Sequence, residues 1–414
     1  MQSAVAGALV LPERWQRGVA YNPLSLRTVR NPYPVLAALR ARAPVHRSRL
    51  LNAWVFTRYA DAEVILRDHR RFGNDPRKGM LAPLQRAMLP PAHEFSMLVL
   101  DPPDHTRLRA LVRDAFAPRA VSALESRVRG TMRTLLDDIR DPSSFDLMEA
   151  VARPLPVIVI AGVLGLPAGD WPRFKVWSAQ RARLLEPRIG WREGWAGRRM
   201  SRAFAAYVRP IIAERRAAPR DDIVGTLVRA RENGAQLSER ETVNMLRLLL
   251  AAGSETAANL IGNGVLALLR HPGQLQRLRE DPALIPSAVE ELLRYDPPVQ
   301  TDFRRVLVDC EVNGFRLRKR DNVAVLLGAA NRDPEKFENP DRVDFGRDQR
   351  SHLSFGSGIH YCLGAPLARL QGRIALEMLL ERFRSIRLLQ DRPRYRPSVI
   401  MRGLESLPVR CRRA

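Results

Sequence analysis

One of the three cysteines, Cys362, stands in a sequence that suits it to bind a metal. Cys362 belongs to the glycine-rich stretch from Phe355 to Gly364, and apolar spacing predicts a helix directly after it, over 365–383. Backbone N–H groups and the positive end of a helix dipole lower the pKa of a thiol in such a position and stabilise a thiolate. With no clustered Cys or His partner, a closed zinc site is excluded. A single axial bond to haem iron remains, with a buried structural cysteine as the alternative.

A second set of reactive side chains interrupts a long apolar segment from Ser238 to Arg270. The capping box formed by Ser238 and Glu241 predicts where this helix begins, and its length predicts a continuous rod of roughly 50 Å. Gly253, Glu255 and Thr256 stand in the middle of this helix, where a local kink would admit a ligand. A neighbouring acid and alcohol can pass protons through water. An exposed turn is the alternative interpretation of this pair.

Two charged pairs also share helix faces. Glu291 and Arg294 stand three residues apart, a spacing that is common and worth only a few tenths of a kcal/mol at a surface. His105 and Arg109 stand four apart after the diproline break in Asp-Pro-Pro-Asp-His, and two cationic donors on one face suit an anion. The alternative is that His105 is a surface histidine whose hydrogen bonds are satisfied.

Taken in order, these motifs resemble those of the cytochrome P-450 family. The haem-loop pattern of the family, Phe-x-x-Gly-x-x-x-Cys-x-Gly, is matched at Phe355, Gly358, Cys362 and Gly364, and the motifs together span residues 101–364. The resemblance implies that haem b is the cofactor, that Cys362 is the proximal ligand of its iron, and that Phe355 packs near the sulfur.

The resemblance also implies roles for the other motifs. Thr256 would support the activation of dioxygen and Glu255 would relay protons to it; Ala257 replaces the second threonine that many members carry. The haem propionates would be held by five cationic or imidazole side chains: His105, Arg109, Arg304, His352 and His360. A structural cluster behind the haem would consist of Glu291, Arg294 and Arg342.

The expected fold is mainly α with small β-sheets, as a single cytochrome P-450 domain over residues 1–414, with the haem between the long central helix and the helix after the cysteine loop. No linker, repeat or low-complexity stretch divides the chain. Helical patterns cover residues 30–45, 60–70, 105–140, 145–165 and 170–290. Strands are predicted over residues 306–308, 310–316 and 323–327.

Composition limits the remaining function classes. The chain has 68 Lys and Arg against 44 Asp and Glu, a net charge of +24, but the bases are spread along every helix and no nucleic-acid recognition motif accompanies them. We therefore expect no nucleic-acid partner. The apolar run near the N-terminus is too short for a membrane anchor and lacks the charged start of a secretory signal, and three cysteines support no disulfide framework, so a cytoplasmic protein is expected.

The predicted activity is a haem-thiolate monooxygenase that hydroxylates or epoxidises a lipophilic small molecule. Its electrons would come from a separate acidic ferredoxin, docked near Arg107, Arg113, Arg369 and Arg373, because no redox domain is fused to the chain. An acyl or peptidyl carrier protein is a second candidate partner. A haem-thiolate sensor or electron carrier and a peroxide-driven oxygenase remain as alternatives, both disfavoured by the Glu255 and Thr256 pair. A carboxylate on the substrate would be met by basic residues of the variable pocket segments: Arg77, Arg86, Arg181 and Arg183.

Overall fold

In this computed structural model the described residues are 9, 10, 12, 13, 15, 17–80, 94–184, 186, 191–220, 222–232, 235–347 and 351–413. Helices dominate them, as predicted, and the strands form small sheets. The α-helices are α1 (Leu26–Arg30), α2 (Tyr33–Arg42), α3 (Tyr59–Arg67), α4 (Asp104–Arg113), α5 (Pro118–Ser122), α6 (Glu125–Asp137), α7 (Pro154–Leu164), α8 (Trp171–Arg183), α9 (Trp191–Ala217), α10 (Ile223–Arg229), α11 (Glu239–Arg270), α12 (Pro272–Glu280), α13 (Ile285–Tyr295), α14 (Leu327–Ala330) and α15 (Ala365–Arg382).

Twelve strands are present in the described part of the chain: β1 (Val45–Ser48), β2 (Ala53–Phe56), β3 (Phe72–Gly73), β4 (Phe145–Asp146), β5 (Arg231–Glu232), β6 (Ala235–Gln236), β7 (Thr301–Val306), β8 (Cys310–Val312), β9 (Phe315–Leu317), β10 (Asn322–Leu326), β11 (Phe383–Leu388) and β12 (Pro408–Arg413). The main sheet has the order β1-β2-β10-β7-β3, and a second sheet has the order β11-β12-β4. Two short ribbons, β5-β6 and β8-β9, complete the set.

The central helix α11 organises the fold. Its 32 residues begin after the N-cap Ser238, whose side chain accepts from the backbone of Glu241 while the Glu241 carboxylate accepts from the backbone of Ser238, so the predicted capping box is confirmed. The helix is buried from Thr242 to Leu268 except at three positions, Ala252, Gly253 and Thr256. It packs against α7, α8 and α15 in the largest hydrophobic cluster of the molecule.

The main sheet holds the second half of the core. Along β10, Val323 and Val325 pack into one hydrophobic cluster, whereas Ala324 and Leu326 pack into another, because successive side chains of a strand point to opposite faces. β10 pairs parallel with β2 and antiparallel with β7. Segments that are far apart in the chain, such as β2 and β10, therefore meet in one sheet.

Several predicted boundaries were wrong. The predicted strand over 310–316 is a hairpin of β8 and β9, turned at Asn313 and Gly314, which both have positive φ (46° and 85°). An Asn-Gly pair is the usual sequence of such a two-residue turn, because both of its central residues need φ above zero. The predicted helical stretch over 105–140 divides into α4, α5 and α6, and the stretch over 170–290 contains the β5-β6 ribbon.

Two kinds of feature, membrane-spanning helices and metal-binding clusters, are absent from the described ranges. None of the helices in the described ranges combines the length and the apolar character that crossing a membrane requires. Three or more His, Cys, Asp or Glu side chains do not gather anywhere in those ranges in a way that could hold a metal ion.

Candidate functional site

The cysteine loop is closed by its own backbone. The amide of Cys362 donates to the carbonyl oxygen of Phe355 at 2.8 Å, which fixes the span of the loop. Gly358 has a φ of +70°, and a Cβ there would lie 2.7 Å from the carbonyl oxygen of Leu66 and 2.9 Å from Cα of Arg67. Glycine is therefore required at this position, both by the left-handed backbone and by the contact with α3.

The environment of the thiol combines burial with polar donors. Burial raises the pKa of Cys362, while hydrogen bonds from the amides of Gly364 and Ala365 and the charges of Arg109 and Arg369 act to lower it. Gly364 is the N-cap of α15, so the two amides belong to the first turn of that helix. Such donors stabilise a thiolate once a cation such as iron compensates the burial.

Two of the predicted propionate residues pack against each other with their rings tilted by 44°. The rings of His105 on α4 and His360 in the cysteine loop have centroids 4.0 Å apart. Nδ1 of His105 is buried and has no hydrogen-bond partner among the described residues. Burial, together with the positive charge of Arg109, lowers the pKa of His105 to about 4. Burial, then the charges of His105 and Arg304, lower the pKa of His360 to about 2.

Two arginines adjoin this histidine pair. Both Arg304 and Arg109 are close enough for their charges to act on His360. Arg304 on β7 is 2% exposed and donates to Oδ1 of Asp302 at 2.6 Å. Arg109 donates to the carbonyl oxygen of Tyr361 at 2.7 Å. The structure thus brings together four residues that the sequence analysis took from distant parts of the chain.

His352 has other partners. Its Nε2 lies 3.3 Å from Oε2 of Glu290, and its Nδ1 accepts from the amide of Ser354 at 3.2 Å. The same carboxylate accepts two hydrogen bonds from Arg369, at 2.7 and 2.8 Å. Protein groups thus occupy both ring nitrogens of His352 in the structure, and its contact with a propionate stays a prediction.

The structural cluster behind the loop also needs a correction. Glu291 and Arg294 are completely buried and joined by two hydrogen bonds, of 2.7 and 2.8 Å. The side chain of Arg342 is exposed, and only its carbonyl oxygen accepts from Arg294, at 3.1 Å. The second guanidinium near Glu291 is that of Arg347, whose Nε lies 3.6 Å from Oε1. Arg342 was chosen by its position in a motif; its side chain turns to solvent while the backbone stays in the cluster.

The open stretch of α11 carries the acid and the alcohol. Thr256 is partly exposed, and its hydroxyl donates to the carbonyl oxygen of Ala252 at 2.7 Å. Glu255 is 9% exposed, and its Oε2 lies 3.0 Å from Nη2 of Arg396 in the segment before β12. No sequence pattern indicated this partner, because 140 residues lie between it and the acid.

The arginines predicted to meet a ferredoxin already have partners. Arg107 pairs with Glu241, and Arg369 with Glu290. Arg373 lies 2.6 Å from Glu125 and 3.0 Å from Glu377, and Arg113, which is 70% exposed, lies 3.3 Å from its neighbour Asp114. These cations remain near the surface, but each one is at least partly neutralised within the protein.

These features fit a haem. The thiol of Cys362 meets two amide donors, the buried Nδ1 of His105 lacks a partner, and Arg109 and Arg304 supply positive charge where anionic propionates would need it. Ala252, Gly253 and Thr256 are the positions at which the otherwise buried part of α11 is accessible.

Comparison with known proteins agrees with a haem-binding site. The model of the cytochrome P-450 family matches residues 174–404. The polyketide biosynthesis cytochrome P-450 PksS of Bacillus subtilis is 41% identical over 393 residues, which cover 92% of this chain and 95% of that protein. The cytochrome P-450 monooxygenase PikC of Streptomyces venezuelae is 40% identical over 392 residues, 92% of each protein.

The fold has close matches among solved structures. The structure of P-450BioI in complex with a hexadec-9Z-enoic acid ligated acyl carrier protein superposes with a TM-score of 0.87 at 37% identity. The match covers 93% of this chain and 99% of that one. The chain therefore belongs to the cytochrome P-450 family and is a P-450 monooxygenase of the bacterial type.

Proposed function

We propose that this enzyme inserts one oxygen atom of dioxygen into a C–H or C=C bond of a lipophilic small molecule, with electrons from a separate ferredoxin-type protein. One observation carries the proposal: a cysteine held by backbone amides occurs together with an acid and an alcohol at the open stretch of α11. A haem-binding sensor or an electron carrier would need only the cysteine.

Haem b is the proposed cofactor. Cys362 would provide the thiolate that binds the iron, Phe355 would pack beside the sulfur, and Gly364 would donate its amide to the sulfur. His105, Arg109, Arg304 and His360 would hold the propionates. When bound, haem supplies the iron chemistry by which dioxygen is activated. In this proposal the chain fixes the orientation of the group, and its amide donors help to stabilise the thiolate.

Glu255 and Thr256 are the proposed proton carriers. The hydroxyl of Thr256 can donate and accept, and in the structure it donates to the carbonyl oxygen of Ala252. The Glu255 carboxylate is held by Arg396 and would exchange protons with water that enters the open stretch. Both groups are adjacent on one helix turn, so a proton taken up by the acid needs few transfers to reach the alcohol.

Substrate and partners are inferred from charge and from the relatives. The names of the relatives connect PksS with polyketide biosynthesis and P-450BioI with an acyl-loaded carrier protein. For this chain we infer a lipophilic substrate, presented free or on an acyl or peptidyl carrier protein. The net charge of +24 favours acidic partners of both kinds at low ionic strength.

The deciding experiment is turnover under labelled dioxygen. The purified protein, supplied with ferredoxin, reductase and a substrate selected by its shift of the haem Soret band, should incorporate one labelled atom per product. Thr256→Ala should consume reductant at a similar rate but release peroxide in place of product, whereas Thr256→Ser keeps the hydroxyl and should stay coupled.

Other outcomes would assign the chain differently. Product formed with peroxide alone, and equally well by Thr256→Ala, would identify a peroxide-driven oxygenase. A thiolate-ligated haem that binds carbon monoxide but forms no product with any electron donor would favour a sensor or an electron carrier.

A further inference from the structure

A cavity lies beside the C-terminal end of the central helix α11. Its volume is about 660 Å³, within the range of ~300–1,000 Å³ that is typical of small-molecule sites. The first α11 residue that lines it, Asn263, comes seven positions after Thr256, roughly 10 Å along the helix axis at ~1.5 Å per residue. None of the residues proposed above for haem binding or proton transfer is among the described residues that line it. The cavity is therefore distinct from the reaction site.

The last two turns of α11 present one face to this cavity. Its lining residues there recur at the three- and four-residue spacing of a helix face: Asn263, Leu266, Ala267 and Arg270. Further apolar surface comes from α2 and from the segment before β12: Pro34, Ala37 and Pro393. The cavity thus offers surface for the apolar body of a ligand as well as charge.

Tyrosine and arginine side chains form another part of the lining. The guanidinium of Arg332 lies between the rings of Tyr33 and Tyr295, 3.3 and 3.9 Å from their centroids. The guanidinium of Arg402 lies 3.7 Å from the ring centroid of Tyr395. Arg332 also donates twice to the carbonyl oxygen of Tyr295, at 2.9 and 2.6 Å. These contacts hold the aromatic lining in place before a ligand binds.

The charges along the cavity do not balance within the protein. Arg332 lies 2.9 Å from the carboxylate of Asp341. Arg402 lies 2.7 Å from the carboxylate of Asp296, so both acids of the lining are already paired. Three further arginines line the cavity, are exposed, and have no Asp or Glu oxygen within 4.0 Å in the described part of the chain: Arg30, Arg270 and Arg392.

The helix dipoles reduce this positive charge without cancelling it. Three helices end at the cavity, α1 at Arg30, α11 at Arg270 and α13 at Tyr295. The C-terminus of a helix carries about −0.5 of an elementary charge, so three ends offset at most roughly half of the excess of three arginines. An anion would therefore enter a site of net positive charge.

One buried acceptor of the lining has no partner. Asn263 is 2% exposed, and its Nδ2 donates to the carbonyl oxygen of Arg402 at 3.0 Å. This donation fixes the orientation of the amide, and Oδ1 is the atom that lacks a hydrogen bond among the described residues. Unpaired buried acceptors are rare in folded proteins, so Asn263 favours a ligand that carries an N–H or O–H group.

We propose that this cavity binds a small organic anion, with its carboxylate or phosphate among Arg30, Arg270 and Arg392 and its apolar ring against the tyrosines and prolines. A guanidinium meets either anionic group through parallel N–H···O bonds. One exposed arginine without a partner is ordinary at a protein surface, but three that line the same cavity indicate a ligand. The inference does not rest on the proposed function, because the cavity shares no residue with the reaction site.

The test compares anions with a neutral molecule of the same ring system. Haem-loaded protein is titrated at low ionic strength with 2-naphthoate, 2-naphthyl phosphate and the neutral 2-naphthamide. Equilibrium dialysis measures total binding, and a shift of the haem Soret band reports any probe that reaches the iron. The wild type should bind at least one anion about tenfold more tightly than the amide, without a Soret shift, as expected for one charge-assisted contact. The tighter anion shows whether the site prefers a carboxylate or a phosphate.

Single substitutions locate the site. Arg270→Gln and Arg392→Gln should each weaken the binding of that anion about threefold, and the double variant should lose the preference over the amide. Arg277→Gln is the matched control, because it removes the same charge from an exposed position of the neighbouring helix α12 that does not line the cavity. It should bind the anion like the wild type. The carbon monoxide spectrum of each variant checks that the haem site is folded.

Three results would each overturn the proposal. The first is equal binding of the anions and the amide by the wild type. The second is a preference for an anion that appears only together with a Soret shift, which would place the probe at the haem. The third is a preference that the double variant retains, or that Arg277→Gln loses to the same extent. None of these results bears on oxygen insertion, because binding is measured without turnover.

Discussion

The carboxylate of Glu255 and the guanidinium of Arg396 are 3.0 Å apart, joining the middle of α11 to the segment before β12. Glu255 is nearly buried, and losing Arg396 would leave its carboxylate without this cation. The acid that we propose as a proton carrier is thus held by a residue from the last twentieth of the chain.

Replacing Arg396 by Gln should impair both stability and coupling. We expect a loss of about 1–3 kcal/mol in the free energy of unfolding, because a nearly buried carboxylate loses its cation. The amount of product per reductant consumed should also fall, because the acid is no longer held beside Thr256. Arg396→Lys keeps the charge and should retain most of both properties. Chemical denaturation and the ratio of product to reductant consumed measure the two effects; unchanged coupling in Arg396→Gln would remove this residue from the relay.

The Glu290 cluster predicts a pH-dependent contribution to stability. Burial alone would raise the pKa of Glu290, but hydrogen bonds from Arg369 and His352 outweigh it and lower the pKa to about 2. A lowered pKa means that the ionised form stabilises the fold above the unfolded-state pKa of about 4.5, and that this contribution disappears as the pH falls toward 2. Glu290→Gln should cost on the order of 2–3 kcal/mol at pH 7, and the difference from wild type should shrink at pH 3. A difference that stays constant between the two pH values would contradict this account.

The cysteine loop should tolerate no side chain at Gly358. A Cβ would contact the backbone of α3 at 2.7 and 2.9 Å, at a φ that favours glycine, so Gly358→Ala should cost about 1–3 kcal/mol and weaken haem retention. Gly273→Ala is the control, because a Cβ at that position in α12 meets nothing within 4 Å. Haem content after gel filtration and thermal unfolding report the difference. Equal haem retention in the two variants would show that the contact with α3 can relax.

Arg342 and Arg347 should differ in their effect on stability. Arg347→Ala removes a largely buried cation 3.6 Å from the fully buried Glu291, and we expect a loss of about 1–3 kcal/mol. Arg342→Ala keeps the carbonyl oxygen that accepts from Arg294 and should stay within about 0.5 kcal/mol of wild type. Urea denaturation of the two variants decides between them, and a larger loss for Arg342→Ala would restore the original assignment.

Features encoded within a few residues were predictable from the sequence. The capping box of α11, the start of α15 at Ala365 and the Glu291 pair with Arg294 depend on local spacing, and the structure contains each of them. The β8-β9 turn was also encoded locally, by Asn313 and Gly314, and the prediction of one strand overlooked it.

Contacts between distant segments could not be predicted from the sequence in the same way. The partners of Glu255 and His352 come from other elements, and no spacing rule connects them to their neighbours. The propionate roles, the single domain over 1–414 and the cytoplasmic location stay predictions.

The pairing of β10 with β2 and β7 has a consequence for biosynthesis. The ribosome releases β2 some 270 residues before β10, with which it pairs in the main sheet, and the cysteine loop and β12 follow later still. Contacts of such high sequence separation form slowly, and edges awaiting their partner are prone to aggregate. β1 can pair with β2 early, but the other edge of β2 stays open until β10 has been made, so co-expressed chaperones should raise the yield of folded protein.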